Sequence, residues 1–233
     1  MALTLAALLL VSSVTLGPDL EVRELLPGVW LHVSVDKGIP ANGLIASTPV
    51  GLVLVDTGWN DSQAERLMAW AEKERHLPIV RAIVTHWHAD RSGGVNALAR
   101  RKVPVGSLDL TAPRVLEARG TALEVLLAAG PGAHASAPGF EVFYPGPGHT
   151  VDNLVVWLPE TRVLFGGCFI KAENADDMGN VADADLAAWP RSVAAVRDRY
   201  PDATTVVPGH GPVGGMAALD RTLELLRRRR AAP

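Results

Sequence analysis

The sequence contains a single cysteine, Cys168, among its 233 residues. An intrachain disulfide is therefore excluded, and the lone thiol must serve another purpose. Positive charge is not in excess either, because 22 Lys and Arg residues stand against 25 Asp and Glu residues, for a formal net charge of -3. A nucleic-acid-binding domain would need a strongly basic surface, so we expect no nucleic-acid partner.

The sequence also lacks an apolar run long enough to cross a bilayer. The longest run, residues 2–16, falls short of the roughly 20 residues that a spanning helix needs, but it suits the apolar core of a secretory signal. No Lys or Arg precedes it, and a buried N-terminal helix is the alternative. We predict a signal peptide over residues 1–17, a mature domain over residues 18–233, and a monomeric periplasmic protein without a membrane anchor.

A dense group of potential metal ligands follows the apolar segment 79–84. The chain continues there as Thr-His-Trp-His-Ala-Asp, so that His86, His88 and Asp90 are spaced by two, and a Gly-Gly pair comes shortly afterwards. Irregular backbone after a strand frees side chains from strict alternation, which lets closely spaced residues converge on one or two cations. The motif predicts a metal site at the end of a buried strand.

Three later stretches place a ligand-type residue beside glycine just after an apolar run. They contain His149 after Pro-Gly, Cys168 after Gly-Gly, and His210 after Pro-Gly. Imidazole and thiolate ligands favour zinc over magnesium or calcium, which prefer more oxygen ligands. Zinc ligation would also account for the lone cysteine, because a coordinated thiolate is protected from oxidation. The alternative is a set of unrelated core histidines and a buried thiol.

The apolar pattern divides the chain into two similar halves, each of strands followed by a helix, a strand and a helix. In the first half we predict strands over residues 21–25, 29–35, 44–47, 52–56 and 79–84, and helices over residues 61–75 and 94–101. In the second half we predict strands over residues 140–144, 154–158, 162–165 and 204–207, and helices over residues 184–200 and from 216 onward. Two such units back to back predict an α/β sandwich of two sheets with helices outside.

The intervening region and the remaining histidines carry weaker signals. Residues 103–130 mix a short strand with helical pieces, and residues 130–138 are predicted as a loop of small residues that contains His134. We predict that His32, on an alternating strand, and His76, at a helix end, are structural or surface residues. Because the ligands come from both halves, the metal site should lie along the edge where the two sheets meet.

An ordered series of motifs from Leu20 to the C-terminal helix resembles the metallo-β-lactamases. It comprises Val55-Asp56-Thr57, His86-x-His88-x-Asp90, Gly148-His149-Thr150-x-Asp152-Asn153, Gly166-Gly167-Cys168-Phe169-Ile170-Lys171, Gly179-Asn180-x-Ala182-Asp183-Ala184, Trp189-Pro190 and Pro208-Gly209-His210-Gly211. The chain looks most similar to the cysteine-containing, two-zinc subclass, the first subclass of class B. This resemblance implies the αββα sandwich of that family.

The resemblance also implies a ligand assignment and a reaction. One zinc would bind His86, His88 and His149, and a second would bind Asp90, Cys168 and His210. A hydroxide between the metals would attack the β-lactam amide carbonyl of penicillins, cephalosporins and carbapenems, giving antibiotic resistance. The family roles carried over by position are orientation of the nucleophile by Asp90, oxyanion donation by Asn180, carboxylate binding by Lys171, and support behind the metals from Asp56 and Arg91.

Arg91 distinguishes this chain from other hydrolases of similar sequence. Many of them continue the motif as His-x-His-x-Asp-His, where the added histidine binds the second metal. Arginine has no lone pair for a metal, so Cys168 must take that role, which favours the lactamase subclass. Two alternatives stay open: a thioesterase or lactone hydrolase of the same fold, and a non-catalytic zinc-binding protein.

The connection over residues 36–41 is shorter than the mobile hairpin of related enzymes. It contains no aromatic residue, and Ile39 is its one large apolar side chain. We therefore expect this segment to provide little apolar cover for a substrate, and hence relatively high KM values for substrates with bulky apolar groups.

Overall fold

The computed structural model describes residues 13–231, with side chains described to residue 229. Two sheets form the centre of the molecule. The first contains eight strands in the order β1-β2-β3-β4-β5-β6-β7-β8, and the second contains five in the order β13-β12-β11-β10-β9. No helix within these residues is long and apolar enough to cross a membrane.

The first sheet and its helices come from the first half of the chain. Its strands are β1 (Ser13–Thr15), β2 (Leu20–Leu26), β3 (Val29–Asp36), β4 (Ile39–Thr48), β5 (Gly51–Val55), β6 (Ile79–Ile83), β7 (Val105–Leu108) and β8 (Glu124–Leu127). Its helices are α1 (Asp61–Glu74), α2 (Ala89–Ser92), α3 (Val95–Arg100) and α4 (Thr111–Arg119). Strands β1 to β5 form an antiparallel meander, and β5 to β8 run parallel.

The second sheet repeats this plan with fewer strands. Its strands are β9 (His134–Ala137), β10 (Phe140–Phe143), β11 (Val155–Leu158), β12 (Val163–Gly167) and β13 (Thr205–Pro208), and its helices are α5 (Trp189–Arg199) and α6 (Ala217–Ala231). Only β12 and β13 are parallel neighbours in this sheet, within the part of the chain that the structure describes. Their carboxyl ends therefore lie at the same edge.

Three apolar cores confirm the predicted sandwich of two sheets with helices outside. One core joins the first sheet to α1 and α3, through residues such as Leu54, Leu67 and Leu98. The middle core lies between the sheets, and the third joins the second sheet to α5 and α6. Successive strand residues point to opposite faces, so a strand with a core on each side needs apolar residues throughout. Val53 and Leu54 illustrate this, because they belong to different cores.

Four local predictions need correction. Residues 134–137, predicted as a loop, form strand β9, which pairs with β10 from Ala137 to His134. Small residues carry little strand signal of their own, so pairing with a neighbouring strand decides their conformation.

The helix predicted over residues 184–200 begins only at Trp189, with Pro190 in its first turn, where proline is tolerated. The irregular loop predicted after His88 contains the short helix α2, and β4 begins at Ile39 rather than residue 44.

The hairpin between β3 and β4 ends in a two-residue turn. Asp36 pairs with Ile39, and Lys37 and Gly38 between them have φ values of 48° and 79°. Positive φ at both central positions is typical of a type I′ turn, whose twist matches that of the flanking strands. The hairpin therefore reaches its tip with paired backbone, and Ile39, 52% exposed, stands at that tip.

The predicted signal peptide lies only partly within the described residues. Residues 1–12 are outside them, whereas residues 13–15 form β1, which pairs with residues 21–23 of β2. The boundary at residue 17 stays a prediction.

Candidate metal centre

Parallel strands bring the ends of separate segments to one edge of the molecule. Strands β5 and β6 are parallel, so Asp56 and Thr85 follow their carboxyl ends side by side, and the Thr85 amide donates to Asp56 Oδ1 at 2.8 Å. His86 follows directly. The chain then leaves the sheet and enters the short helix α2. This helix brings Asp90 back close to His86.

Three histidines form one ligand set, here called the three-histidine set: His86, His88 and His149. Nδ1 of His88 lies 3.1 Å from Nε2 of His86. The same nitrogen of His88 lies 3.3 Å from Nε2 of His149. The rings meet edge to face, with centroids 4.8 to 5.2 Å apart. Nδ1 of His88 therefore lies close to one nitrogen of each of the other two rings.

The second set, here called the mixed set, contains Asp90, Cys168 and His210. Sγ of Cys168 lies 3.3 Å from Oδ2 of Asp90 and 3.3 Å from Nε2 of His210, and that nitrogen lies 3.2 Å from the same carboxylate oxygen. Gly209 allows this approach, because a Cβ at that position would lie 2.5 Å from the Cys168 amide nitrogen and 2.7 Å from its sulfur. The glycine beside His210 is therefore required by packing.

The spacing of both sets fits zinc. Two ligands about 2.0–2.1 Å from one tetrahedral zinc lie about 3.3 Å apart, and a thiolate lies slightly farther from its neighbours. The distances of 3.1 to 3.3 Å within the two sets are close to these values. The donor types, imidazole, carboxylate and thiolate, are also those that zinc prefers. All six residues predicted as ligands are thus brought together in arrangements that could each hold one ion.

Hydrogen bonds on the far side of two imidazoles determine which nitrogen faces the centre. Nε2 of His88 lies 2.9 Å from Oδ2 of Asp183, and Nδ1 of His210 donates to the carbonyl oxygen of Pro40 at 2.7 Å. A proton held at these positions makes the opposite nitrogen of each ring the one that can bind a metal. Asp183 belongs to the motif Gly179 to Ala184, but the motif predicted no role for it.

Arg91 lies beneath the mixed set and is fully buried. Its Nε donates to Oδ2 of Asp90 at 2.9 Å, and its terminal nitrogens donate to the Gly209 carbonyl at 2.9 Å, to Asp56 Oδ2 at 3.2 Å and to the Asn42 carbonyl. One guanidinium therefore contacts the strand ends of both halves. Burial raises the pKa of Asp56 to about 7, although Arg91 and the Thr85 donors act to lower it.

The two sets differ in charge. Burial lowers the pKa of His86 and of His149 well below the usual value, so these imidazoles are neutral. Burial also opposes protonation of His210, but the neighbouring Cys168 and Asp90 outweigh it and raise the pKa of His210 to about 9. The mixed set therefore attracts positive charge, which a divalent cation would supply.

A cleft of about 920 Å³ opens above both sets. Lys171 lines it, with Nζ 5.5 Å from the centroid of the Trp189 ring, and burial lowers the pKa of this lysine. Asn180 lines it from an exposed loop, with Oδ1 accepting from the Ala182 amide at 3.0 Å. Both residues predicted to bind substrate are therefore in the same cleft as the ligands.

Several residues near the centre had no predicted role. Trp59 and Trp87 line the cleft, and the Trp87 ring lies edge to face with His88 at 4.7 Å. His32, predicted as structural or surface, is buried behind the ligands, with Nε2 3.2 Å from the Asp56 carbonyl oxygen. The position of Trp87 between two predicted ligands was a usable signal, whereas nothing near Trp59 in the sequence indicates a cleft.

Known proteins resemble this chain over most of its length. The family model of the metallo-beta-lactamase superfamily matches residues 38–122 and 133–210. The metallo-beta-lactamase type 2 of Bacillus cereus is 39% identical over 214 residues, which cover 89% of this chain and 83% of that protein. The protein of the same name from Bacteroides fragilis is 33% identical over 219 residues, which cover 92% and 88%.

Solved structures agree with these matches. A metallo-beta-lactamase from Erythrobacter litoralis superposes with a TM-score of 0.84 at 35% identity and covers 93% of this chain and 100% of that one. The FIM-1 enzyme from Pseudomonas aeruginosa, solved in a mono-zinc form, superposes with a TM-score of 0.85 at 33% identity and covers 94% and 100%.

Proposed function

Since the chain belongs to the metallo-β-lactamase superfamily, we propose that the cleft above the two ligand sets is the active site of a two-zinc β-lactam hydrolase. The protein is a zinc-dependent hydrolase that opens the β-lactam amide bond and so gives antibiotic resistance. The observation that carries the two-ion proposal is the spacing of 3.1 to 3.3 Å between neighbouring ligand atoms in both sets.

The ligand assignment follows the two sets. The three-histidine set would hold one ion, and the mixed set would hold the other. Zinc bound there would polarise the amide carbonyl and lower the pKa of a coordinated water, so that hydroxide is available near neutral pH. The outer hydrogen bonds to His88 and His210 keep the correct nitrogen of each ring available.

Asp90 has two roles in this proposal. Its Oδ2 accepts from Arg91 and contacts Cys168 and His210, which holds the carboxylate in one orientation. Arg91 also holds the pKa of Asp90 well below the usual value against the effect of burial, so the group is ionised. We propose that its other oxygen, Oδ1, orients the attacking water. Asp56 and Arg91 support this arrangement without contacting the substrate.

Lys171 and Asn180 would recognise the substrate. Penicillins, cephalosporins and carbapenems carry a carboxylate on the fused ring, and the Lys171 ammonium would pair with it. Oδ1 of Asn180 accepts from the Ala182 amide, and Nδ2, the donor of the side chain, would donate to the oxyanion that forms at the carbonyl. Monobactams lack the fused-ring carboxylate and should be poor substrates.

The proposed roles are tested by kinetics of zinc-loaded protein. Lys171→Ala should raise KM for a carbapenem about tenfold with a smaller change in kcat, because it removes a charge-assisted contact. Lys73→Ala, at an 85% exposed position on α1, is the matched control and should change neither constant. An unchanged KM for Lys171→Ala would remove Lys171 from the site.

The reaction class is tested in the same preparation. A chelator should abolish hydrolysis of penicillins and added zinc should restore it, with about two zinc ions bound per chain by metal analysis. A thioester and a lactone should be turned over far more slowly. Faster turnover of either would favour the alternative hydrolase of the same fold.

We further propose a periplasmic location, reached through a signal peptide over residues 1–17, and a monomeric state. The apolar run of residues 2–16 supports export. Fractionation of cells that express the full chain, with N-terminal sequencing of the exported product and its mass measured in solution, tests the three statements together. Retention of full-length protein in the cytoplasm would contradict export.

A further inference from the structure

The cleft contains a second cation whose role the proposed reaction does not use. Among the described residues that line the cleft, Lys171 and Arg119 are the only Lys or Arg side chains. Lys171 follows β12 in the second half of the chain, whereas Arg119 is the last residue of α4 in the first half. The two halves therefore each contribute one basic group to the space above the ligand sets.

Arg119 is not engaged by the protein itself. Its Nε is sealed from solvent and has no hydrogen-bond partner, and no ion pair or hydrogen bond joins its guanidinium to the residues whose side chains the structure describes. Other arginines of the same half are paired, such as Arg100 with Asp61 and Arg81 with Glu124, both near carboxylates at 3.0 Å or less. The guanidinium is therefore left without a partner among these residues, and its terminal nitrogens remain for an anion in the cleft.

The part of the cleft that the first half of the chain supplies contains two aromatic residues. Trp87, which lies between two ligands of the three-histidine set, lines the cleft, and Trp59 lines it as well. Helix α4 packs near this part of the cleft, because the guanidinium of Arg114 lies 6.0 Å from the centroid of the Trp87 ring. A ligand group that reaches Arg119 would thus combine flat apolar contact with an unpaired guanidinium, whose fork suits a carboxylate.

We infer that Arg119 is a specificity-determining residue that binds a second carboxylate, carried by the acyl side chain of the β-lactam. The inference rests on the proposed function. With the fused-ring carboxylate at Lys171, an acyl side chain that extends toward the tryptophans of the first half would bring its end toward Arg119, which lines the same cleft. Substrates with an anionic acyl group gain the Arg119 contact, and substrates with a neutral acyl group do not.

The test compares two penicillins that differ by one group: a phenylacetyl penicillin and its α-carboxy derivative. In Arg119→Gln, kcat/KM for the α-carboxy substrate should fall about five- to tenfold, the range of a charge-assisted contact, while the neutral substrate changes less than about twofold. Arg119→Lys should retain part of the preference. Lys73→Gln, at an 85% exposed position on α1, removes one positive charge from the same half of the chain away from the cleft and should leave the ratio of the two substrates unchanged.

The salt dependence of the substrate ratio distinguishes a charge contact from a purely structural role of Arg119. Raising NaCl from about 0.05 to about 0.5 M should lower the wild-type ratio of α-carboxy to neutral substrate and leave the Arg119→Gln ratio constant, because screening weakens a charge contact. Zinc content, measured for each variant, should equal that of the wild type. An unchanged ratio of the two substrates in Arg119→Gln, or an equal change of that ratio in Lys73→Gln, would overturn the inference. A wild-type protein that hydrolyses neither penicillin would instead overturn the proposed function, and the inference with it.

Discussion

The three-histidine set and the mixed set lie in one cleft, but the protein stabilises them in different ways. In the three-histidine set, burial lowers the pKa of His86 and of His149, and His88 contacts the carboxylate of Asp183, which is 41% exposed. The mixed set places a carboxylate and a thiol above the fully buried Arg91. Neutral ligands can be held by packing alone, whereas buried anions need a buried counter-charge.

The two sets also depend on the chain in different ways. Two ligands of the three-histidine set are neighbours on one short segment, and the third comes from the loop after β10. The mixed set takes its members from three segments, and two of them follow β12 and β13, whose parallel pairing brings Cys168 and His210 together. We therefore expect the mixed set to be the more easily disrupted of the two.

The largest effect should come from Arg91→Ala. Removing this guanidinium leaves Asp90 and Asp56 buried without their cation, so the free energy of unfolding of the metal-free protein should fall by about 3–5 kcal/mol. Urea unfolding measures it. Arg100→Ala, which removes exposed ion pairs with Asp61 and Glu65, is the control and should leave the free energy of unfolding nearly unchanged. A loss below about 1 kcal/mol for Arg91→Ala would show that the mixed set does not need the arginine.

Cys168→Ser should have the next largest effect, and it should act on one set only. A neutral hydroxyl is a much poorer zinc ligand than a thiolate, so the second ion should be lost while the three-histidine set keeps the first. Zinc affinity at the mixed set should fall by more than about 100-fold, beyond the usual cost of changing an outer partner. Metal analysis with a competing chelator measures the zinc affinity of each set. Loss of both ions together would mean that the two sets are coupled.

Asp183→Asn should have the smallest effect and should act on the other set. It removes the anionic partner of His88 Nε2, and zinc affinity at the three-histidine set should fall about tenfold, the low end for an outer partner, because Asp183 is partly exposed. Asp202→Asn, at an exposed position away from the cleft, is the control. Equal loss of zinc from both sets would argue against a specific role of Asp183 toward His88.

Site residues that are close together in the sequence were easier to predict than those that come from separate segments. His86, His88 and Asp90 could be predicted from one segment, because their close spacing directly after an apolar strand is typical of metal sites. His149, Cys168 and His210 were found through adjacent glycines, and the close approach of Gly209 to Cys168 gives the physical reason for that signal. Trp87 could have been recognised from its position between two ligands, whereas Trp59 and Arg119 could not, because their neighbours in the cleft are distant in sequence.

The fold shows a similar limit. Apolar periodicity predicted the two repeated units and most strands, and the sandwich of two sheets is confirmed. It missed β9, since that strand is stabilised by pairing with β10 rather than by the preferences of its own residues. The hairpin is short and carries Ile39 at its tip, as predicted, but two tryptophans on other walls of the cleft add apolar surface that the hairpin sequence could not indicate.

Residue types alone were enough to predict the chemistry, because imidazole, carboxylate and thiolate beside glycine at strand ends have few uses other than zinc. Tertiary structure decided how those residues are divided and oriented. Parallel pairing of β12 with β13 assembles the mixed set, Arg91 compensates its charge from beneath, and the meeting of both halves creates a cleft with Lys171 from one side and Arg119 from the other. These are contacts between segments far apart in the chain, and local sequence patterns carry no information about such distances.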